Sequence, residues 1–384
     1  MLFRTVLFVA LVFVLSTATL FAQQGQRRIL LEEFSTAQCG FCPDGTVVAK
    51  KLVHDHPSVI WVTHHAGFGT DSMTVPASKD IASAFTNFAP GACIDRGVFP
   101  IHVSPYIEQY GKIATIRAKW DSVVTAHLAD EQFADIRIRS QYDAQTTILS
   151  VTVDVVFGTI PAPGDIRLNL FLVEDSVKGL GTGYDQKNYY NGDRNHPMYQ
   201  KGDPVVGYAH LRVVSGAPTG SWGVAGIVPS QPQAGITYTY TWAGPLTEVW
   251  DPCNFNRPEV VSLVAFLSYH DSDVKKRQVI HANEARIENI TSTAPLPERS
   301  GAITARVYPN PVRGAAHITL DRAFDSDATL LVVDPAGREQ FRLTLARRNR
   351  IAPLPLGNLP AGMYLYRIIS SSQTPVVGSF MLTR

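Results

Sequence analysis

The chain has 384 residues, 45% of them hydrophobic and 17% charged, with a formal net charge of +1. This is the composition of an ordinary folded protein long enough for two or three domains. The near-neutral balance argues against nucleic acid as the main partner, because such proteins carry a basic excess or stripe, and the short Arg347-Arg348-Asn349-Arg350 cluster reads as a solvated turn.

Residues 1–22 have the order of a secretory signal: Arg4, an apolar run from Val6 to Leu15, and small residues closing at Ala22 before the polar Gln23-Gln24-Gly25-Gln26. The run is shorter than the roughly 20 residues that span a bilayer. No cysteine precedes Cys39, so a lipid-anchored N-terminus is not expected. No later segment is long and apolar enough for a transmembrane helix, so no span is expected once the signal is removed.

From Arg28 to about Glu131, strands and helices alternate. Ile29 to Phe34 reads as a strand, Gly45 to His54 as a helix, Val59 to His64 as a buried strand and Ala77 to Phe88 as a second helix. Ala92 to Phe99 reads as a short strand and Ile107 to Leu128 as a long amphipathic helix. Such alternation predicts an α/β layer with crossover connections.

The sharpest chemical motif lies here. In Phe34-Ser35-Thr36-Ala37-Gln38-Cys39-Gly40-Phe41-Cys42-Pro43 a strand runs into C-x-x-C and a helix follows, which is the thioredoxin-like arrangement. Ahead of a helix N-terminus, the Cys39 thiolate would be stabilised by unpaired N–H groups and the helix dipole. Cys39 would then be the attacking sulfur and Cys42 the resolving one. Pro43 suits the first turn, where its missing N–H costs nothing. Pro90, after the second helix and before the next strand, stands where a thioredoxin site places a cis-proline facing the sulfurs; an ordinary trans-proline in a loop fits the same position. Gln38 replaces the aromatic residue that usually precedes the first cysteine. Glu32 or Glu33 could supply a buried proton-shuttling carboxylate, with a surface strand position as the plainer reading for at least one.

Two other readings of the pair stay open. It fits a purely structural disulfide, since export leads to an oxidising environment. It also fits a zinc half-site completed by His64, His65 and Cys93, although the second half lacks regular spacing. Four cysteines (Cys39, Cys42, Cys93, Cys253) do not make a disulfide scaffold in a chain of this size. For Cys93 and Cys253, pairing between domains and staying buried and free are both open readings.

From Phe133 to about Ile290 the period changes to two. Strands are expected at Asp135 to Arg139, Leu149 to Phe157, Ile166 to Glu174, His210 to Val214, Ile236 to Trp242 and Val260 to Tyr269, which predicts a β-sandwich over 132–290. Asp185, Asn188, Asn191, Asp193 and Asn195 form an oxygen-rich loop; calcium is one reading, a solvated loop with Asx turns the favoured one. Tyr189, Tyr190, Trp222, Tyr238, Tyr240 and Trp242 are read as core aromatics ahead of a sugar or peptide surface.

A Ser/Thr/Pro linker over 291–301 leads to a third block, 302–384. Strands at Ala316 to Leu320, Thr329 to Val333, Gln340 to Leu345, Met363 to Ile369 and Val376 to Leu382 predict a small second sandwich. Val307-Tyr308-Pro309-Asn310-Pro311, Asp334-Pro335-Ala336-Gly337-Arg338, Leu359-Pro360-Ala361-Gly362-Met363-Tyr364 and Gly378-Ser379-Phe380 together resemble the type A sorting domain of type IX secretion. The resemblance implies an Ig-like sandwich, recognition by the type IX machinery through residues 302–384, and a destination at the outer-membrane surface or outside the cell.

The body, from Arg28 to Asn289, resembles the outer-membrane protein of twenty-eight kilodaltons and its relatives. The match rests on Glu33-Phe34-Ser35 before the cysteine motif, His65-Ala66-Gly67, Asp95-Arg96, Tyr184-Asp185-Gln186-Lys187-Asn188, Gly207-Tyr208-Ala209-His210-Leu211-Arg212, Trp222-Gly223, Val264-Ala265-Phe266-Leu267 and His281-Ala282. This resemblance implies a surface antigen, adhesin or receptor with no settled reaction.

The expected fold class is therefore multidomain α/β plus all-β: a thioredoxin-like domain (28–131), a β-sandwich and a sorting sandwich. Candidate site residues are Cys39, Cys42 and Pro90, with no cofactor and no metal expected. The leading reading is a surface protein binding an unidentified ligand, and the alternative is a thiol–disulfide oxidoreductase acting on other exported proteins. Neither G-x-S-x-G nor H-E-x-x-H occurs, so a hydrolase has no support.

Overall fold

The computed structural model describes residues 27–98, 112–144, 146–179, 181–246, 258–288, 290–291 and, between 303 and 383, all but 309, 311, 313, 315, 336 and 371–374. The signal segment, Cys253, Pro309, Pro311 and the linker beyond Thr291 lie outside these residues.

The first part is built from β1 (Ile29–Ser35), α1 (Cys42–Asp55), β2 (Val59–His65), α2 (Pro76–Phe85), β3 (Gly91–Ile94), β4 (Thr115–Ile116) and α3 (Trp120–His127). β1 runs parallel to β2, in register from Ile29↔Val59 to Ser35↔His65, and β3 returns antiparallel on its other side. All seven residues of β1 and all seven of β2 are buried. Both faces are covered, so these strands read as apolar runs with little alternation. On one face Ile29 and Leu31 pack with Ala49 and Leu52 of α1 and Trp120 and Val123 of α3. On the other Leu30 and Phe34 pack with Ile81 and Phe85 of α2.

Several expected elements are corrected here. The helix expected over Ile107 to Leu128 is a short strand, a 3-10 turn (Arg117–Lys119) and an eight-residue helix from Trp120, its first five residues lying outside the described chain. Thr115 and Ile116 are β-branched and pair with Ala92 and Gly91, and the buried Trp120 indole donates to Thr115 O (3.1 Å), fixing the break. The strand expected to reach Phe99 stops at Ile94, because Asp95 and Arg96 take left-handed backbone (φ 47° and 50°).

The second part comprises β5 (Ala134–Asp143), β6 (Ile148–Phe157), β7 (Ile166–Glu174), β8 (Val213–Gly216), β9 (Thr237–Pro245), β10 (Val261–Tyr269), β11 (Val279–Arg286) and β12 (Ile290–Thr291). β12, β5, β6 and β9 form a four-stranded sheet, while β7, β8, β10 and β11 extend the first sheet to eight strands in the order β11-β10-β7-β8-β2-β1-β3-β4. The change of pattern near residue 131 thus marks a change of period along the chain, while one sheet runs across it. β8 meets β2 at Thr63↔Val213. The inner face of the four-stranded sheet (Ile136, Val151, Val153, Val155) shares a core with Leu168, Leu170, Leu263 and Ala265 of the larger one. On that sheet's other face, Phe171, Val173, Val264 and Phe266 join the core of Leu30 and Phe34. His210 lies just before β8 in an isolated bridge with Val177, so the strand expected from His210 begins three residues later.

The third part holds β13 (Ala305–Tyr308), β14 (Ala316–Leu320), β15 (Ala328–Val333), β16 (Glu339–Leu345), β17 (Ile351–Leu354), β18 (Gly362–Ser370) and β19 (Val376–Leu382). They form sheets β13-β14-β17 and β16-β15-β18-β19, and their inward residues, among them Ile318, Leu330, Val332, Ile368 and Phe380, make a core of their own.

Candidate functional site at the cysteine pair

β1 ends at Ser35 and the chain turns twice before α1, with Cys39 N donating to Thr36 O and Cys42 N to Cys39 O (both 3.1 Å). These turns bring the Cα atoms of Cys39 and Cys42 to 5.4 Å, and the two sulfurs are joined in a disulfide. Cys42 is the first residue of α1, Pro43 follows it, and Asp44 supplies a negative charge in the first turn, where the helix dipole favours it. Cys39 and Cys42 are only 3% and 1% exposed.

The Ala89–Pro90 peptide bond is cis. Pro90 packs against the first turn of α1: a Cβ on Gly45 would stand 2.7 Å from Pro90 Cβ and 2.6 Å from Glu33 Oε1. Gly45 is thus the gap into which Pro90 and Glu33 both fit.

Glu32 and Glu33 are fully buried on opposite faces of β1, so neither holds the surface position expected for at least one of them. A strand covered on both faces overrides the exposure that a charged residue suggests. Glu33 accepts from the Trp61 indole (2.9 Å), with the Thr63 side chain beside its carboxyl. Burial pushes the Glu33 carboxyl up to about 8, against the opposing effect of Trp61 and Thr63. For Glu32, burial would also raise the pKa, but the Arg96 guanidinium outweighs it, helped by His64, and holds the carboxyl at about 2. The Arg96 fork is bidentate (2.7 and 2.8 Å) and the guanidinium lies against the rings of Phe85, Trp222 and Phe266.

The histidines do not gather around the cysteines. His64 Nε2 lies 3.2 Å from Glu32 and its Nδ1 3.0 Å from Ser78, whereas His65 Nδ1 is 2.7 Å from Asp71. Adjacent strand residues face opposite ways, and Cys39 and Cys42 are consumed in the disulfide, so the zinc reading loses its ligand set. Among the described residues no group of three or more His, Cys, Asp or Glu is placed to hold a metal. Cys93 is a buried free thiol whose pKa burial raises well above the usual range.

The segment between β7 and β8 covers the cysteine motif, a placement the sequence reading missed. Lys187 N donates to Ala37 O (2.8 Å) and Tyr189 N to Gly40 O (3.0 Å). The buried Gln186 amide donates to Cys39 O (2.9 Å) and Ala37 O (3.2 Å), and Gln38 donates back to Thr182 O. The Tyr189 ring lies over Gly40, where a Cβ would stand 2.6 Å from its Cγ, and meets the Phe41 ring edge-on at 4.9 Å. Asp44 ties down the far end through Arg117 and His196, and Arg117 donates to the Tyr190 hydroxyl (2.9 Å).

The oxygen-rich loop lies in this segment and spends its side chains on its own backbone. Asn188 accepts from Tyr190 N and donates to Met198 O and Gly202 O, Asn191 accepts from Gly202 N, and Asp193 from Asn195 N. Asn188 itself is buried. Of the six aromatics singled out, Tyr238, Tyr240 and Trp242 pack against the two-sheet core, and Trp222 lies between Arg96 and Arg277. Tyr189 and Tyr190 stand over the cysteine motif with Phe41.

The architecture is that of a β-rich, multi-sheet protein with few helices and a C-terminal part that has a core of its own. Residues 306–380 match the secretion system C-terminal sorting domain. The chain carries a type IX sorting tail, and its destination is the cell surface or the outside. Among solved structures it resembles HBP35 of Porphyromonas gingivalis, at 14% identity over 94% of this chain and 100% of that one, with a TM-score of 0.51, a likeness of fold. It also aligns with a domain of the outer membrane lipoprotein Omp28 from Porphyromonas gingivalis, at 20% identity over 42% of this chain and 93% of that one, with a TM-score of 0.24. No curated protein matches the chain. Among the described residues no helix is long and apolar enough to cross a membrane.

Proposed function

We propose that this is an exported surface protein with a binding role, in which Cys39–Cys42 is a structural bridge. Residues 28–131 are read as its thioredoxin-like part, 132–290 as a sandwich laid on the extended sheet, 291–301 as the linker and 302–384 as the tail read by the type IX machinery. The observation that carries this reading is the burial of both cysteines under the segment that ends at β8. An oxidoreductase must offer one sulfur to a partner thiolate, and here that approach is covered.

A second reading, a thiol–disulfide oxidoreductase acting on exported proteins, is favoured by Glu33. It is a buried carboxyl with no hydrogen-bonded cation among the described residues, poised at about 8 and pressed with Pro90 against the first turn of α1. In this reading Cys39 attacks, Cys42 resolves, Pro90 shapes the substrate surface and Glu33 exchanges the proton.

The reduction potential of the pair separates the two, measured by thiol trapping in glutathione buffers on the chain lacking signal and tail, with Cys39→Ser as control. A potential below about −300 mV is expected for a structural bridge. A value above roughly −250 mV with rapid exchange would favour the oxidoreductase.

A further inference from the structure

We infer that residues Gly181–Gly207 act as a built-in strap that occupies the peptide-docking surface of the cysteine motif, so that a thiol reaches Cys39–Cys42 only when the strap lifts. This concerns the rate of access, and it goes beyond the equilibrium question that decides between the two functions above.

The argument starts from the pattern of contacts. Lys187 and Tyr189, two residues apart, donate their backbone N–H groups to the carbonyls of Ala37 and Gly40, on either side of Cys39. Donation from alternate residues is how an extended peptide adds to an exposed backbone edge. The strap therefore sits as a peptide ligand would, supplied by the chain itself. Gln186 completes the fit, because its buried amide reads the carbonyls of Ala37 and Cys39 together. Gly40 completes it from below, since any side chain there would strike the Tyr189 ring.

The strap is also held as a unit. Gln186 and Val205 exchange backbone hydrogen bonds (3.2 and 2.8 Å), Asp185 accepts from Gly181 N and Gly207 N, and Asn188 pins the return of the loop. It can lift as one piece, the local opening by which covered groups become reactive. Directly over the cysteines the apolar contact is partly open, with Phe41 and Tyr189 49% and 54% exposed. The segment thus closes the site with hydrogen bonds, the rings of Tyr189 and Tyr190 against Phe41, and one buried anchor, Tyr184, which packs with Ala37, Met73, Val177 and Val213.

Dithiothreitol tests this. One of its thiolates attacks a sulfur of the pair, the Cys39–Cys42 bond breaks, and a mixed disulfide forms. Its second thiol then displaces that sulfur. Two electrons and two protons end on the cysteines, and the reagent leaves as the cyclic disulfide. Reduction rates are read by quenched alkylation and mass spectrometry on the full mature chain, on Gln186→Ala, on Tyr189→Ala, and on Thr239→Ala on the far sheet as control. Against a peptide spanning residues 36–45, the native chain is expected to react at least about tenfold more slowly. Gln186→Ala and Tyr189→Ala should recover at least about tenfold of that, with far-UV circular dichroism unchanged and Thr239→Ala at the native rate. A native chain that reacts as fast as the peptide overturns the strap, and this arm needs no variant to fold. Strap variants that fold but react at the native rate overturn it too. Measured alongside, the potential reports on the structural-bridge reading separately: a fast, low-potential pair would sink the strap alone, and a slow, high-potential pair the structural bridge alone.

Discussion

Glu32 and Glu33 are neighbours in β1, and the sheet sends them into opposite chemistry. Glu32 is held bidentately by Arg96, and Glu33 meets the Trp61 indole N–H and the Thr63 side chain. The same desolvation acts on both, so the presence of one guanidinium decides which carboxyl is ionised in the core.

The first prediction concerns pH. The Glu33 carboxyl is raised from 4.5 to about 8 in the folded chain. The folded state therefore binds a proton that the unfolded state releases, and stability falls as pH rises through that window, by up to about 1.4 kcal/mol per pH unit. Glu33→Gln keeps the shape of the protonated acid and an acceptor for Trp61. It is expected to be more stable than the native chain at pH 8–9, with the advantage vanishing near pH 4.5. Urea midpoints measured across pH 4–9 check this, and parallel curves would mean that Glu33 is ionised in the fold.

Glu32 has the opposite sign. Its pKa is lowered from 4.5 to about 2, so its contribution is complete above pH 4.5 and is lost as pH falls towards 2. Arg96→Met strands a buried carboxylate and is expected to cost about 3–5 kcal/mol at pH 7. Glu32→Gln/Arg96→Met should restore part of that, as read in a double-mutant cycle of denaturant unfolding.

At Gly45 two effects compete. Alanine is favoured over glycine within a helix by about 1 kcal/mol, but a Cβ here would press on Pro90 and Glu33 at 2.7 and 2.6 Å. Overpacking costs about 1–3 kcal/mol, so Gly45→Ala is expected to be net destabilising, in contrast to the usual result in an exposed helix. Thermal unfolding would show it, and a rise in midpoint would mean that Pro90 moves aside freely.

Cys93 should be silent in the native state. It is buried, and burial together with the nearby Glu32 charge disfavours its thiolate. Alkylation followed at the Cys93 peptide by mass spectrometry is expected only when the chain unfolds. Labelling at native denaturant concentrations would place the thiol near the surface.

Much of the cysteine site was legible because its signals are local. A strand, two cysteines at one-turn spacing and a proline at the head of a helix lie within fifteen residues, and each fixes its own backbone. The strap was not legible. Gln186 and Lys187 carry no periodic pattern, and their partners Cys39 and Ala37 lie about 150 residues away, so only the folded chain brings them together. The extension of the sheet by β7, β8, β10 and β11 escaped for the same reason. Alternation tells which side of a strand is apolar, and nothing in it names the strand that will lie alongside. Val264 and Phe266 look like sandwich residues in sequence, yet they pack with Leu30 and Phe34 of the first part.

The eight-stranded sheet also settles where the protein can be cut. A chain divided at residue 131 would split one sheet and strip Leu30 and Phe34 of Phe171 and Phe266, leaving two fragments each with a raw apolar wall. The tail is different, since residues from Ile303 to Leu382 close a core without help from the body. Clipping near residue 300 is therefore the economical cut. What the cell ships behind the address label is a single indivisible parcel, in which the cysteine pair cannot be lent to another protein as a portable module.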